Sequence, residues 1–307
     1  MRREINPVRG KKRFDLDVVG RLQVYFPVFF ELLGDNRLNW KTVEKVLAGK
    51  IEQWKTRGNG GTVRVEASFY NIISAAMEGD PQASNHLEFI RKLFGELIQH
   101  LDIQERKLVV PALFGLLSNI DHKFWNFVGE LLVLNDFKKR TQLTLTDVEV
   151  PVITAKPDGP RIDFQFFDSG QQSTLLVEVV NVHVSDCAAW TDEQINHIVR
   201  QKIEHKLNKT GIKSRQDIWL APVFWGSFED LMRFNSFYQA GSIRFQNTLE
   251  PTGFFSFTDT TTQEHIHVFG TIGEIHGQYG SIVSQKEATP EASVEPKMLT
   301  FPSSRQG

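Results

Sequence analysis

The chain carries a single cysteine, Cys187, in 307 residues. One thiol excludes an intrachain disulfide framework and any zinc site built on cysteine pairs, and it suits a reducing compartment. Long apolar runs are also missing. The most apolar early segment, Val18 to Leu33, is interrupted by Gly20, Arg21, Gln23 and Glu31, so it reads as a core helix and not as a membrane span. Met1 to Pro7 has no apolar signal-peptide core, and the expected location is cytoplasmic, with no membrane partner. Nor is there an excess of either charge: 35 Lys and Arg face 37 Asp and Glu, for a net −2. No global basic field is available to attract nucleic acid, and any such surface has to be local. A Gly-x-Ser-x-Gly nucleophile elbow is absent as well.

What is present is an ordinary globular composition, 40% hydrophobic with 24 Phe, which predicts a substantial aromatic core in one large or two modest domains. The first 120 residues read as mostly helical. Apolar periodicity predicts helices over 15–34 (kinked at Pro27), 42–55, 84–101, 104–118 (bent at Pro111) and 122–138, with a strand over 62–70. The pattern changes near Thr141. Strands are predicted over 142–154, 161–167, 175–184 and 217–225, and helices over 191–209 and 227–239. Short aromatic β-like runs follow over 242–277. The segment 281–307, rich in Ser, Pro, Glu and Gln, is expected to be disordered. The organisation expected is therefore a helical region 1–120, an α/β region 121–280 and a tail.

The sharpest local signal is Leu175-Leu176-Val177-Glu178-Val179-Val180-Asn181-Val182-His183-Val184, seven of whose ten residues are aliphatic. Such a run is a strand buried on both faces, because a half-exposed strand would alternate. Glu178 within it is costly to bury unless it is paired or binds a metal. A second strand, Arg161-Ile162-Asp163-Phe164-Gln165-Phe166-Phe167, also holds one carboxylate among apolar neighbours. Carboxylates converging from neighbouring strands suit a hard divalent cation.

The order helix, three strands, helix, strand over 122–225, with Pro160-Arg161-Ile162-Asp163 on the second strand and Val177-Glu178-Val179-Val180 on the third, resembles the PD-(D/E)xK nuclease superfamily. The resemblance implies an α/β (α+β) fold, in which the helical N-terminal region precedes a restriction-endonuclease-like αβββαβ core with a mixed sheet. It implies a metal-dependent endonuclease in which Asp163 and Glu178 bind Mg²⁺ (or Mn²⁺), joined by a glutamate of the preceding helix. DNA is the substrate it points to first and RNA the second, in restriction, repair or defence. Glu130 fits the helical position, at the edge of the stripe formed by Phe127, Leu131 and Leu134; the competing reading is a boundary residue. The chain departs from the pattern at Val180, which stands where the superfamily has its lysine. Either that function has migrated or the site is inactive. Lys202, in the helical stripe Ile195, Ile198, Val199, Lys202, Lys206, is the candidate for a migrated lysine; a snorkelling surface lysine is the alternative. A non-enzymatic scaffold, or a helical region that binds a protein partner or a second copy, is the competing function.

Other polar residues are assigned more modest roles. Asn181 and His183 should face away from Glu178, and Asp158 in Pro-Asp-Gly-Pro suits a turn. His265, His267 and His276 lack a third ligand at a convincing spacing. Gly270 to Gly277 lacks the Lys-Ser/Thr ending of a phosphate loop and a clear strand-to-helix setting. Basic residues cluster at Lys138-Lys139-Arg140, along Lys202 to Arg215, and in the N-terminal segment Arg2 to Arg13. Any of these could track a phosphate backbone or simply be solvated.

Overall fold

The computed structural model describes residues 17–57, 63–65, 69–119, 123–152, 159–184, 186–210, 218–241, 248–259, 265–283 and 297–299. Asp158, Asp121, the basic segment Arg2 to Arg13, Lys213 and Arg215 lie outside them.

Helices come first. The apolar segment at the start is divided at Pro27 into α1 (Val18–Tyr25) and α2 (Val28–Leu33), since proline offers no N–H to continue the first helix. After α3 (Trp40–Arg57) comes the three-residue strand β1 (Val63–Val65). Next is α4 (Phe69–Met77), where a strand running to residue 70 was expected. Its buried residues, Phe69, Ile72, Ile73 and Ala75, fall at helical spacing, a period hidden by the β-branched pair at its centre. α5 (Pro81–His100) is capped by Asp80, whose side chain accepts from Ala83 N–H, and has proline in its first turn. α6 (Ile103–Leu108) and α7 (Val110–Ser118) are separated at Val109, ahead of Pro111. α8 (Lys123–Arg140) buries Phe124, Trp125, Val128 and Leu131 to Leu134 almost all round its axis, as a helix wedged between other helices and a sheet must.

The sheet follows: β2 (Thr144–Pro151), β3 (Arg161–Asp168), β4 (Ser173–His183), α9 (Asp192–Thr210), β5 (Ile218–Trp225), α10 (Phe228–Gln239), β6 (Thr252–Thr258), β7 (His265–Thr271) and α11 (Ile272–Val283). The spatial order is β2-β3-β4-β5-β6-β7. The sheet is mixed, with β2-β3-β4 antiparallel, β4-β5-β6 parallel and β6-β7 antiparallel. The fold is thus α/β, with a helical N-terminal region followed by a core in the order αβββαβ. In the segment expected to be disordered, β8 (Lys297–Leu299) pairs with β1.

β4 is buried on both faces. Val177 and Val179 pack into the core shared with α8, while Val180, Val182 and Val184 pack with Ile195, Val199 and Ile203 of α9 and with α10 and α11. The first of these cores runs without a break from Leu22, Phe26 and Phe29 to Trp225 and Phe254, so the helical region and the sheet are solidly joined. Its centre is aromatic: Trp125 lies 5.5 Å from Trp225 and 6.0 Å from Phe254, ring centre to ring centre. Each such buried side chain contributes roughly 1.5–3 kcal/mol relative to exposure.

A polar tie reinforces the junction. Glu105, only 3% exposed, completes the capping box of α6 with Asp102. Its Oε1 also accepts from Leu145 N–H of β2 at 2.8 Å and pairs with Lys138 Nζ of α8 at 2.6 Å. Removing one partner of a buried pair strands the other. Glu105→Ala is therefore expected to cost about 3–5 kcal/mol in urea unfolding, and Glu105→Gln/Lys138→Met, which removes both charges, distinctly less.

Candidate metal centre

The paired register of β3 and β4 runs from Asp168↔Ser173 to Phe164↔Val177 and ends there. One step further, carboxylates take over as acceptors of the backbone N–H groups. Asp163 N–H donates to Glu178 Oε2 at 3.1 Å, and Val179 N–H donates to Asp163 Oδ2 at 2.7 Å. The two acids anticipated from the sequence thus sit together in a fork between strands, Glu178 fully buried and Asp163 9% exposed.

On the other side of β3, Val148 pairs with Phe164 and Val150 with Ile162, which sets Glu149 across from Asp163. Glu149 has φ 51°, left-handed backbone that costs a non-glycine residue of order 1–3 kcal/mol, and it follows a register shift between Leu145 and Asp147. Glu130 arrives from α8. One carboxylate oxygen from each of Glu130, Glu149 and Asp163 lies within 4.8 Å of the others. Among the described residues no other three His, Cys, Asp or Glu side chains gather so closely. Glu149 is absent from the expected site. Its only sequence signal is an acid between Val148 and Val150 in the strand preceding Asp163, and a register was needed to interpret it.

α8 can bring Glu130 this close because its neighbour is Gly129. A Cβ there would stand 2.1 Å from Asn181 Oδ1 and 3.1 Å from Trp225 Cζ2. Asn181 itself is held by Trp225 Nε1, which donates to its Oδ1 at 2.9 Å. Asn181 and His183, whose ring stacks on Trp225 at 6.0 Å, lie on the opposite face from Val180 and Val182, which share Glu178's side of the strand.

The lysine comes from α9, and it is Lys206. Its Nζ lies 2.9 Å from Glu178 Oε1 and 3.9 Å from Asp163 Oδ2, with the side chain one-third exposed. Lys202, the expected residue, stands on the exposed side of the helix. The difference is one of phase: at about 100° per residue Lys206 falls inside the arc spanned by the buried Ile195, Val199 and Ile203, whereas Lys202 falls just outside it. Val180 is buried under α9, so the amine enters from the helix above the strand and not from the strand itself.

Four carboxylates face one lysine, and their proton affinities reflect it. Burial and then Asp163 raise Glu130 well above the usual range, and burial with the charge of Asp163 likewise raises Glu149. Asp163 is raised by burial against the pull of Lys206 and of Val179 N–H. Burial and Asp163 push Glu178 up to about 8. Burial alone would lower Lys206, but Asp163 and Glu178 outweigh it and hold the ammonium above the ordinary lysine range. The residues fit a hard divalent cation: oxygen ligands ~2.1 Å from an ion lie ~3–4 Å from one another, and the three carboxylate oxygens here all lie within 4.8 Å of one another.

The other candidates do not join this group. His267 packs against His86 at 4.6 Å and Phe254 at 5.7 Å, between α5 and the sheet, and His276 is exposed on α11. Gly270 to Gly277 does form a strand-to-helix junction, but Glu274 fills its helix N-terminus. That carboxylate accepts from Thr271 N–H and Oγ1 and from Arg140, which holds it down to about 2. Lys138 and Arg140 are likewise engaged, the latter with Asp136 and Glu274. Cys187 is buried, and that burial pushes its thiol up to about 12, the opposite of activation. No helix among the described residues is long and apolar enough to cross a membrane.

No known family, no curated protein and no solved structure matches the chain.

Two outcomes are expected. Gly129→Ala should displace Asn181 or α8, costing about 1–3 kcal/mol with a change in tryptophan fluorescence. For pH, the sign follows from raised carboxylates: the folded state resists their ionisation, so it is most stable where they are protonated. The metal-free protein should therefore lose stability as pH rises from the ordinary carboxylate range towards about 8, where Glu178 ionises. Thermal melts from pH 5 to 8 check this. Mn²⁺ should raise the melting temperature most at pH 8, and Glu178→Gln should flatten the profile.

Proposed function

We propose that the protein is a metal-dependent nuclease that hydrolyses phosphodiester bonds, with DNA as substrate. The observation that carries the reading is the meeting of Glu130, Glu149 and Asp163 beside Lys206, in the fork of an αβββαβ core. Glu130, Glu149 and Asp163 would hold Mg²⁺ or Mn²⁺. The bound ion supplies Lewis acidity to the phosphodiester and a nucleophilic water at neutral pH.

The chain's own residues do the rest. Asp163 is held in place by Val179 N–H, which donates to its Oδ2. Lys206 stays protonated at neutral pH, so it acts as a fixed cation towards charge building on phosphate oxygens and not as a base. Its position at the mouth of the fork, one-third exposed, suits a group that meets a large substrate. Acidic residues packed this closely would repel a polyanion if no cation sat among them, which makes metal dependence a requirement of the reading.

The test is cleavage of supercoiled, linear and single-stranded DNA and of RNA, with Mg²⁺, Mn²⁺ or EDTA. The expected result is cutting of DNA abolished by EDTA. Asp163→Asn, Glu130→Gln and Lys206→Met should each lower the rate about 100-fold or more, the scale of removing one group that stabilises developing charge. Lys202→Ala should stay within about twofold of wild type, as an exposed side chain away from the cluster. A wild-type protein that cuts no substrate with either ion overturns the reading and leaves the fold as a scaffold.

A further inference from the structure

Glu178 occupies the position that the nuclease pattern gives to a metal ligand, yet its surroundings describe a different task. It is completely buried. One oxygen, Oε2, is the acceptor for Asp163 N–H at 3.1 Å, and the other, Oε1, lies 2.9 Å from Lys206 Nζ. Asp163 differs. Its Oδ2 is held by Val179 N–H and lies 3.9 Å from Lys206, while the carboxylate still contributes an oxygen to the group with Glu130 and Glu149. Glu178 does not join that group. With Oε2 accepting from a backbone N–H and Oε1 in ion-pair contact with the ammonium, Glu178 would have to give up one of these to ligate an ion, and a buried donor left unmatched costs ~1–3 kcal/mol.

We infer that Glu178 is not a metal ligand in this protein but a positioning residue that holds the Lys206 ammonium beside the cluster, and that Glu149 fills the ligand place so vacated. The inference rests on the nuclease reading for its purpose, but its geometry stands independently. The strand position that would normally supply the amine holds Val180, packed in the core beneath α9. A lysine arriving from a helix has to be fixed by something on the sheet, and Glu178 is the buried carboxyl group it meets. β2 compensates on the far side of Asp163, where the left-handed residue Glu149 brings a third carboxylate to Glu130 and Asp163.

The experiment separates ligand from positioner with two readouts that need no cleavage. Mn²⁺ binding to the full-length protein is measured by calorimetry, with circular dichroism as the control for folding. The Lys206 ammonium resonance is followed by ¹⁵N-edited NMR, assigned by its loss in Lys206→Met. Glu178→Gln is expected to bind Mn²⁺ within threefold of wild type, while Glu149→Gln and Asp163→Asn bind at least tenfold more weakly. Glu178→Gln should also broaden or shift the Lys206 signal, which Glu149→Gln leaves in place. Because a lone change in a buried pair can unfold the chain, Glu178→Gln/Lys206→Met is included; it should bind Mn²⁺ at least as tightly as wild type. In cleavage, that double variant should be no slower than Lys206→Met alone, since Glu178 acts through the lysine. Loss of Mn²⁺ binding in Glu178→Gln and in the double variant equal to that in Asp163→Asn overturns the inference while sparing the nuclease reading. A wild-type chain that binds Mn²⁺ but cuts nothing overturns the nuclease reading and leaves the assignment of Glu178 standing on the binding and NMR results. No Mn²⁺ binding by wild type overturns both.

Discussion

The structure depends on the separation of β3 from β4 at Asp163 and Glu178. Up to Phe164 and Val177 the strands satisfy each other through backbone groups; beyond that point the carboxylates become the acceptors. Buried acids ordinarily weaken a fold, because each must be kept neutral or matched. Here they substitute for part of the ladder, so the fork closes its own hydrogen bonds while concentrating negative charge. The other features of the centre follow from that choice. α9 ends its apolar stripe in Lys206, α8 approaches on Gly129, and β2 departs from regular strand geometry at Glu149. Together they gather four carboxyl groups and one lysine at the fork.

The legibility of these parts differed for physical reasons. β4 announced itself, since an aliphatic run with one acid has few alternatives, and Asp163 was marked in the same way by its apolar neighbours. The helix-strand order from α8 to β5 was likewise evident from changes in period. Lys206 was named in the α9 stripe, but Lys202 was preferred because the phase was taken from Ile198 and Val199. Ile203 fixes the phase and is buried, while Lys202 is exposed. Glu149 depended on the Val148–Phe164 register, a pairing across chain positions that no local pattern encodes. The first two residues of α4 were given to a strand and the rest left unassigned, and α11 was grouped with β-like runs as far as residue 277, because a helical period is hard to see in a short segment with β-branched and aromatic residues.

The charged residues teach a related lesson. Lys138-Lys139-Arg140 looks like a basic patch in one dimension. In three, Lys138 serves Glu105 and Leu143, and Arg140 serves Asp136 and Glu274.

The unbroken apolar core from Phe26 to Phe254 has a bearing on how this chain can be handled. α8 supplies Glu130 to the cluster and also presents Phe124, Trp125 and Val128 to the helices before it. A fragment beginning near residue 121 would keep every residue of the metal centre and yet leave one side of α8 and one face of the sheet bare. Such a fragment should aggregate instead of acting as a minimal enzyme. The helical half is thus not cargo that can be exchanged for another specificity module. It packs against the same helix that carries Glu130.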